Sequence, residues 1–196
     1  MPPAGFAVGH RSSVILVGVH GDELERLRGY QIAGNSDNSG VWLQQARHYF
    51  RLDADHGTLV PVRRSLARER IYGGGSEPDL PIPPGGRYRG MTVGRWNYVI
   101  PGPAGRTLAQ WSGECEVPTA FWVEGTKPVV LTTGQEKLSG PASIALGWGS
   151  DGSAYAYVGE GYCGGRGSPP GIYAFTAPAQ ARLVYKTPPG AYVDMW

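Results

Sequence analysis

One pattern recurs along this chain and constrains its fold more than any other feature. An aromatic or aliphatic strand is followed by a tight polar turn and a second strand ending near Leu or Val. It occurs as SVILVGVHGDELERL (Ser13–Leu27), HYFRLDADHGTLVPV (His48–Val62), TAFWVEGTKPVVLT (Thr119–Thr132) and GIYAFTAPAQARLVY (Gly171–Tyr185). Strand-sized apolar or alternating runs bounded by Gly, Asp, Pro and Ser are the signature of hairpins. Before three of these hairpins lies another strand pair: YQIAGNSDNSGVWLQQ, WNYVIPGPAGRTLAQW and IALGWGSDGSAYAYV. Their N-S-G, P-A-G and S-D-G turns supply the positive φ that a tight connection needs.

The repeating unit is therefore four strands, a-b-c-d, spanning ~35–45 residues, which is the period of a propeller blade. Three units are complete, at Gly29–Arg64, Gly94–Gly134 and Ser143–Thr187. The opening GFAVGH reads as a strand b ahead of its own c-d hairpin, and the closing AYVDMW reads as a strand a. Together they would complete a fourth unit and remove free sheet edges. The alternative is that the chain is a piece of a longer array.

The last two units carry a resemblance. WGSDGSAYAY, GIYAF and ARLVY, with LAQWSGECEVPTAFWVEGTKPVVLT before them, resemble the repeats of TolB-like, WD40-like bacterial propellers. That family's pattern is a W-S-x-D-G turn, a strand, an I-Y strand and a closing R-L-T strand. The likeness covers Gly94–Tyr185 well and Ser13–Arg64 more loosely, and the unit at Gly29–Arg64 lacks the Trp-Ser-Asp-Gly turn. It implies a fold, and such a fold does not by itself imply a function. The expected architecture is all-β: a propeller of about four four-stranded blades, or part of one. It occupies a single domain over 1–196, with a Gly/Pro/Arg-rich inter-blade insertion at 65–95.

Composition agrees. The 31 Gly and 17 Pro would suggest disorder in a low-complexity chain, but 41% hydrophobic and 11% aromatic residues supply a core. A formal net charge of +2 is too small to point to nucleic acid or an anionic membrane. The longest apolar run, SVILVGV, is far short of the ~18 residues of a membrane helix. MPPAGFAVGHRSS lacks the charged-then-apolar order of a signal peptide.

In a propeller the b–c loops and d–a connections open on one face. That face would gather the 65–95 segment, SGECEVP and GEGYCGGRGSPP, and long loops on a rigid scaffold are where binding residues collect. Gly159-Glu-Gly161-Tyr-Cys-Gly164 formally matches G-x-G-x-x-G, but Ser168-Pro169-Pro170-Gly171 and a strand follow it. The nucleotide fingerprint needs a helix there, so this is a b–c loop. Cys115 and Cys163 occupy matching b–c loops, close enough in that arrangement to form a disulfide closing a ~48-residue loop. The competing reading is two unrelated thiols. A bridge would imply an oxidising, extracytoplasmic compartment.

Glu114, Glu116 and Glu160 share these loops. They are candidates for a general acid–base pair or a cation site, against the plainer reading of solvated acids pairing with Arg166, Arg87 or Arg89. Trp111 ends a strand b and, with Tyr162, Tyr88 and Tyr72, could floor a sugar or peptide site, against simple core packing. Arg63, Arg64, Arg68, Arg70, Arg87, Arg89 and Arg95 are a basic group better read as a solvated face. LDADHG (Leu52–Gly57) looks like part of a calcium loop but lacks its third acidic position and bidentate Glu. His10, His20, His48 and His56 show no metal or triad spacing.

The expected function is a non-catalytic binding module using one propeller face to hold a protein, peptide or glycan. The ligand-binding candidates are Trp111, Glu114, Glu116, Glu160, Tyr162, Arg166, Arg87 and Arg89. No catalytic residue, metal or cofactor is expected, nor nucleic acid or membrane insertion. The rivals are a propeller hydrolase or lyase with acids near the central channel, and a structural partial propeller that homodimerises.

Overall fold

The computed structural model describes residues 5–33, 41–53, 57–72, 86–88, 91–93, 96, 98–112, 118–125, 127–134, 143–159 and 169–196. Among these residues the protein is predominantly β, with four four-stranded antiparallel sheets and one two-stranded hairpin. Its contacts divide it into two compact units, 1–77 with 190–196, and 78–189.

In the first unit, β1 (Gly5–His10), β2 (Ser13–Gly18) and β3 (Glu23–Arg28) form a meander, and β18 (Tyr192–Met195) adds to the free side of β1. The expectation that the last strand completes the sheet of the first three is met. Phe6 lies opposite Met195 and Val8 opposite Val193. Gly5 and Trp196 exchange backbone hydrogen bonds of 3.3 and 3.1 Å. A Cβ on Gly5 would sit 3.0 Å from the Trp196 ring and collide with the Val17 carbonyl, so only glycine permits this approach. The second sheet joins β4 (Gln31–Ile32), β5 (Trp42–Gln45), β6 (His48–Asp53) and β7 (Thr58–Val62).

Strand alternation decides how these sheets pack. Ala7, Val14, Leu16 and Leu27 from one sheet meet Leu43 and Leu52 from the other, with Val41 and Trp196 in the same cluster. The opposite faces are buried as well. Phe6, Val8, Ile15 and Val17 are 0–5% exposed on the first sheet. On the second, Trp42 and Tyr49 pack on Ala67 of α1 (Arg64–Tyr72). This helix opens the segment read as an insertion, where no helix was anticipated. Its Leu, Ala, Arg and Glu are strong helix formers.

In the second unit, β8 (Gly86–Tyr88) and β9 (Met91–Val93) form a short hairpin. One sheet joins β10 (Tyr98–Pro101), β11 (Arg106–Ser112), β12 (Pro118–Glu124) and β13 (Lys127–Val130). The other joins β14 (Ser143–Trp148), β15 (Ala154–Val158), β16 (Gly171–Ala177) and β17 (Gln180–Lys186). Leu108, Ala120, Trp122 and Leu131 face Ala145, Ala154, Ala156, Val158, Tyr173 and Phe175. The four alanines let the two sheets close around the large rings. Burying a side chain such as Phe175 or Leu108, both 0% exposed, contributes about 1.5–3 kcal/mol. The far side of the first sheet carries its own cluster of Trp96, Ala109, Phe121 and Val130.

The turns follow the sequence chemistry. Between β10 and β11, Ala104 and Gly105 adopt φ of 55° and 72°, and between β14 and β15 Gly152 adopts 79°. LDADHG bridges the end of β6 and the start of β7, with the Gly57 N–H donating to Asp53 O at 2.8 Å.

Candidate functional site

Two buried hydrogen bonds fix which ends of the second unit's sheets lie together. The Ala120 N–H, near the start of β12, donates to Ser143 Oγ at 2.9 Å. The Ala145 N–H, near the start of β14, donates to Gln110 Oε1 at 3.0 Å. Gln110 and Ala120 flank the 113–117 connection, while Ser143 pairs with Val158, beside the 159–170 connection. Both connections therefore leave from the same end of two packed sheets. An unpaired amide would be costly here, so these side chains lock the relative position of the strands.

Most predicted site residues fall on those connections. Glu114, Cys115, Glu116, Glu160, Tyr162, Cys163, Arg166 and Arg89 lie outside the described residues. Arg87 is placed by its backbone in β8, opposite Thr92. Trp111 is described: it pairs with Thr119 and is partly buried against the Trp96, Ala109, Phe121 and Val130 cluster. That is the packing role weighed above. Tyr88 lies in β8 and Tyr72 ends α1. GEGYCG connects two antiparallel neighbours, β15 and β16, so a strand rather than a helix follows the glycines. His10 ends β1 and His48 begins β6. Among the described residues, no group of three or more His, Cys, Asp or Glu is assembled for a metal ion.

The other end of the same unit is built from short turns. Trp148 donates its indole N–H to Ile100 O at 3.1 Å. Its ring meets Trp122 edge-on, with centroids 5.0 Å apart at 70°. The Arg106 guanidinium lies 5.0 Å from the Trp122 ring and 5.3 Å from that of Trp148, and Arg106 Nε donates to Pro103 O at 3.0 Å. Arginine over indole faces adds cation–π attraction to the packing.

Beside this cluster, Asp151 accepts 2.9 Å hydrogen bonds from the Ser153 N–H and hydroxyl. The Ser153 N–H above all holds the Asp151 carboxyl below its ordinary range, with the Ser153 hydroxyl and Arg182 helping against partial burial. Burial pushes the Tyr155 hydroxyl up, with Asp151 adding to the shift. A shallow pocket of about 370 Å³ opens here, lined by Asp151, Ser153, Ala174, Thr176, Gln180, Ala181 and Arg182. Sequence reasoning took Ser150-Asp151-Gly152 as a turn and did not see this pocket. Its one signal was Ala174, a small residue amid the large ones of GIYAF.

No family model matches the chain, and no curated protein or solved structure matches it either.

Proposed function

We propose that the four sheets are blades of a propeller-type module of the TolB-like, WD40-like kind, and that the module binds rather than catalyses. Its ligand is a protein, peptide or glycan held by the 113–117 and 159–170 connections. Three features support the propeller reading. Four sheets are four-stranded and antiparallel, each unit packs two of them face to face, and the last strand pairs with the first. The observation that carries the binding reading is the common exit of the two long connections from one end of locked sheets. Locked strand ends give both loops a fixed base, and loops on a fixed scaffold are where binding residues collect.

In this reading Cys115 and Cys163 tie the two connections together, and Glu114, Glu116, Glu160, Tyr162 and Arg166 furnish contacts. The test is melting temperature against peptides, glycans and candidate protein partners. It is run on the wild type and on a variant in which 160–168 is replaced by a short Gly-Ser turn. A ligand at a hundredfold excess over its Kd stabilises the native state by about 2.7 kcal/mol. The proposal predicts a shift with one ligand class that vanishes in the loop variant. A shift that survives loop replacement would contradict it.

A further inference from the structure

We infer that the pocket over Ala174 is a second binding site, and that it takes a neutral, hydroxyl-rich ligand the size of one sugar unit. The inference does not depend on the loop-face proposal, since the pocket lies at the opposite, turn-bearing end of the β14–β17 sheet.

Geometry comes first. Ala174 sits in β16 opposite Tyr155 on one side and Arg182 on the other. Cross-strand neighbours share a sheet face, so a methyl group stands between two large side chains and leaves a notch. Ser153 lies two residues before Tyr155, Thr176 and Gln180 lie at the register shift that ends the β16–β17 pairing, and all three line the pocket. Asp151 closes the notch from the β14–β15 turn. Ala174 and Ser153, at 4 and 5% exposure, make a rigid floor.

The chemistry of the lining selects the ligand. Asp151 is fixed by Ser153 and offers carboxylate lone pairs. The Thr176 hydroxyl donates to Gln180 Oε1 at 3.2 Å, which leaves the Gln180 amide NH₂ as a donor. Arg182 is an exposed guanidinium with no ion pair closer than 4.0 Å among the described residues. The notch thus alternates acceptor and donors around a floor of small residues. A hydroxyl both gives and takes a hydrogen bond, so adjacent hydroxyls on a ring satisfy Asp151 together with Arg182 and Gln180. A simple anion meets the Asp151 charge and a simple cation meets Arg182, so neither suits both walls. Tyr155 flanks Ala174 across the strands but is not among the residues that line the pocket, so no ring stacks on the ligand and affinity for a single sugar is expected in the millimolar range, about −4 kcal/mol.

The experiment is an amide-resolved NMR titration of the full chain with glucose, galactose, mannose and N-acetylglucosamine, to tens of millimolar. Glycylglycine and acetate are run as charged comparisons. The inference predicts saturable shifts confined to 151–153, 174–176 and 180–182 with at least one sugar. Arg182→Ala, on an exposed side chain and so not expected to unfold the protein, should weaken that binding at least tenfold. Ala174→Leu, which fills the notch, should abolish it. No saturable shift with any of the sugars overturns the inference. So does binding that Arg182→Ala leaves intact, or saturation of the same amides by glycylglycine or acetate in place of sugar.

Discussion

Replacing Gly102 by alanine isolates one steric contact in the second unit. Gly102 has φ −128° and ψ −177°, extended backbone open to any residue, so its backbone gives no reason for glycine. Space does. A Cβ there would lie 2.5 Å from Trp148 Nε1, closer still to Cε2, and 2.7 Å from Cδ2. Trp148 cannot simply slide away, because its N–H is bonded to Ile100 O and its ring is held by Trp122 and Arg106. Forcing a methyl into a packed site costs about 1–3 kcal/mol. Expelling the indole instead loses a hydrogen bond of about 1 kcal/mol and an aromatic contact of about 0.5–1.5 kcal/mol. Either route gives a loss of about 1.5–2.5 kcal/mol, and with an m-value of about 2 kcal/mol/M the urea midpoint falls by about 1 M. Unfolding by far-UV circular dichroism reads this directly. Trp148→Ala removes the obstacle, so Gly102→Ala in that background should cost less than about 0.5 kcal/mol, a coupling characteristic of direct contact. Gly105→Ala is the counter-case: φ is +72° and nothing lies within 4 Å of its Cβ. Its cost, about 1 kcal/mol from backbone strain, should be the same with or without Trp148. Equal penalties for Gly102→Ala in both backgrounds would refute the steric account.

Three further outcomes follow, two from the structure and the third from the proposed Cys115–Cys163 bridge. Trp196→Ala should cost about 3–5 kcal/mol by urea denaturation, because the ring is 7% exposed in the first unit's core. Trp196→Phe should cost about 1 kcal/mol or less, since the buried indole N–H has no hydrogen-bond partner among the described residues. Asp151 titrates below its unfolded value, so its contribution is present above about pH 4 and fades as pH falls through the lower folded value. Asp151→Asn should therefore flatten the fall in melting temperature between pH 4 and pH 2 relative to wild type. Cys115→Ser should destabilise the oxidised protein by about 4 kcal/mol and leave the reduced protein unchanged in a melting experiment with and without reductant.

The strands were legible because their cues are local. Alternation such as the buried Leu43 and Leu52 set against the opposite-facing Trp42 and Tyr49, and glycines that accept positive φ at 105 and 152, are visible in short windows. All four hairpins and three strand pairs lie where the repeats put them. The pairing of β18 with β1 was legible for another reason: three strands at one end and one at the other complete a four-strand unit. Helix α1 was missed because the segment was weighed by its glycines and prolines, which begin only after Tyr72. The pocket was missed because it depends on register. Nothing in Ala174, Arg182 and Asp151 as letters shows that cross-strand pairing and a turn bring them to one notch. The Arg106 cluster is the same case, assembled from residues 106, 122 and 148 on different strands.

The claim on which the functional reading rests is that the 113–117 and 159–170 connections leave the second unit side by side. Its most direct test is the distance between nitroxide labels on the two native cysteines, Cys115 and Cys163, after reduction. Packed sheets lie ~10 Å apart, so labels on neighbouring loops should give a distribution centred below about 30 Å. Exit from opposite ends would add the length of the seven-residue β11 strand, roughly 23 Å. A distribution centred beyond about 40 Å would place the loops at opposite ends and contradict the shared binding face.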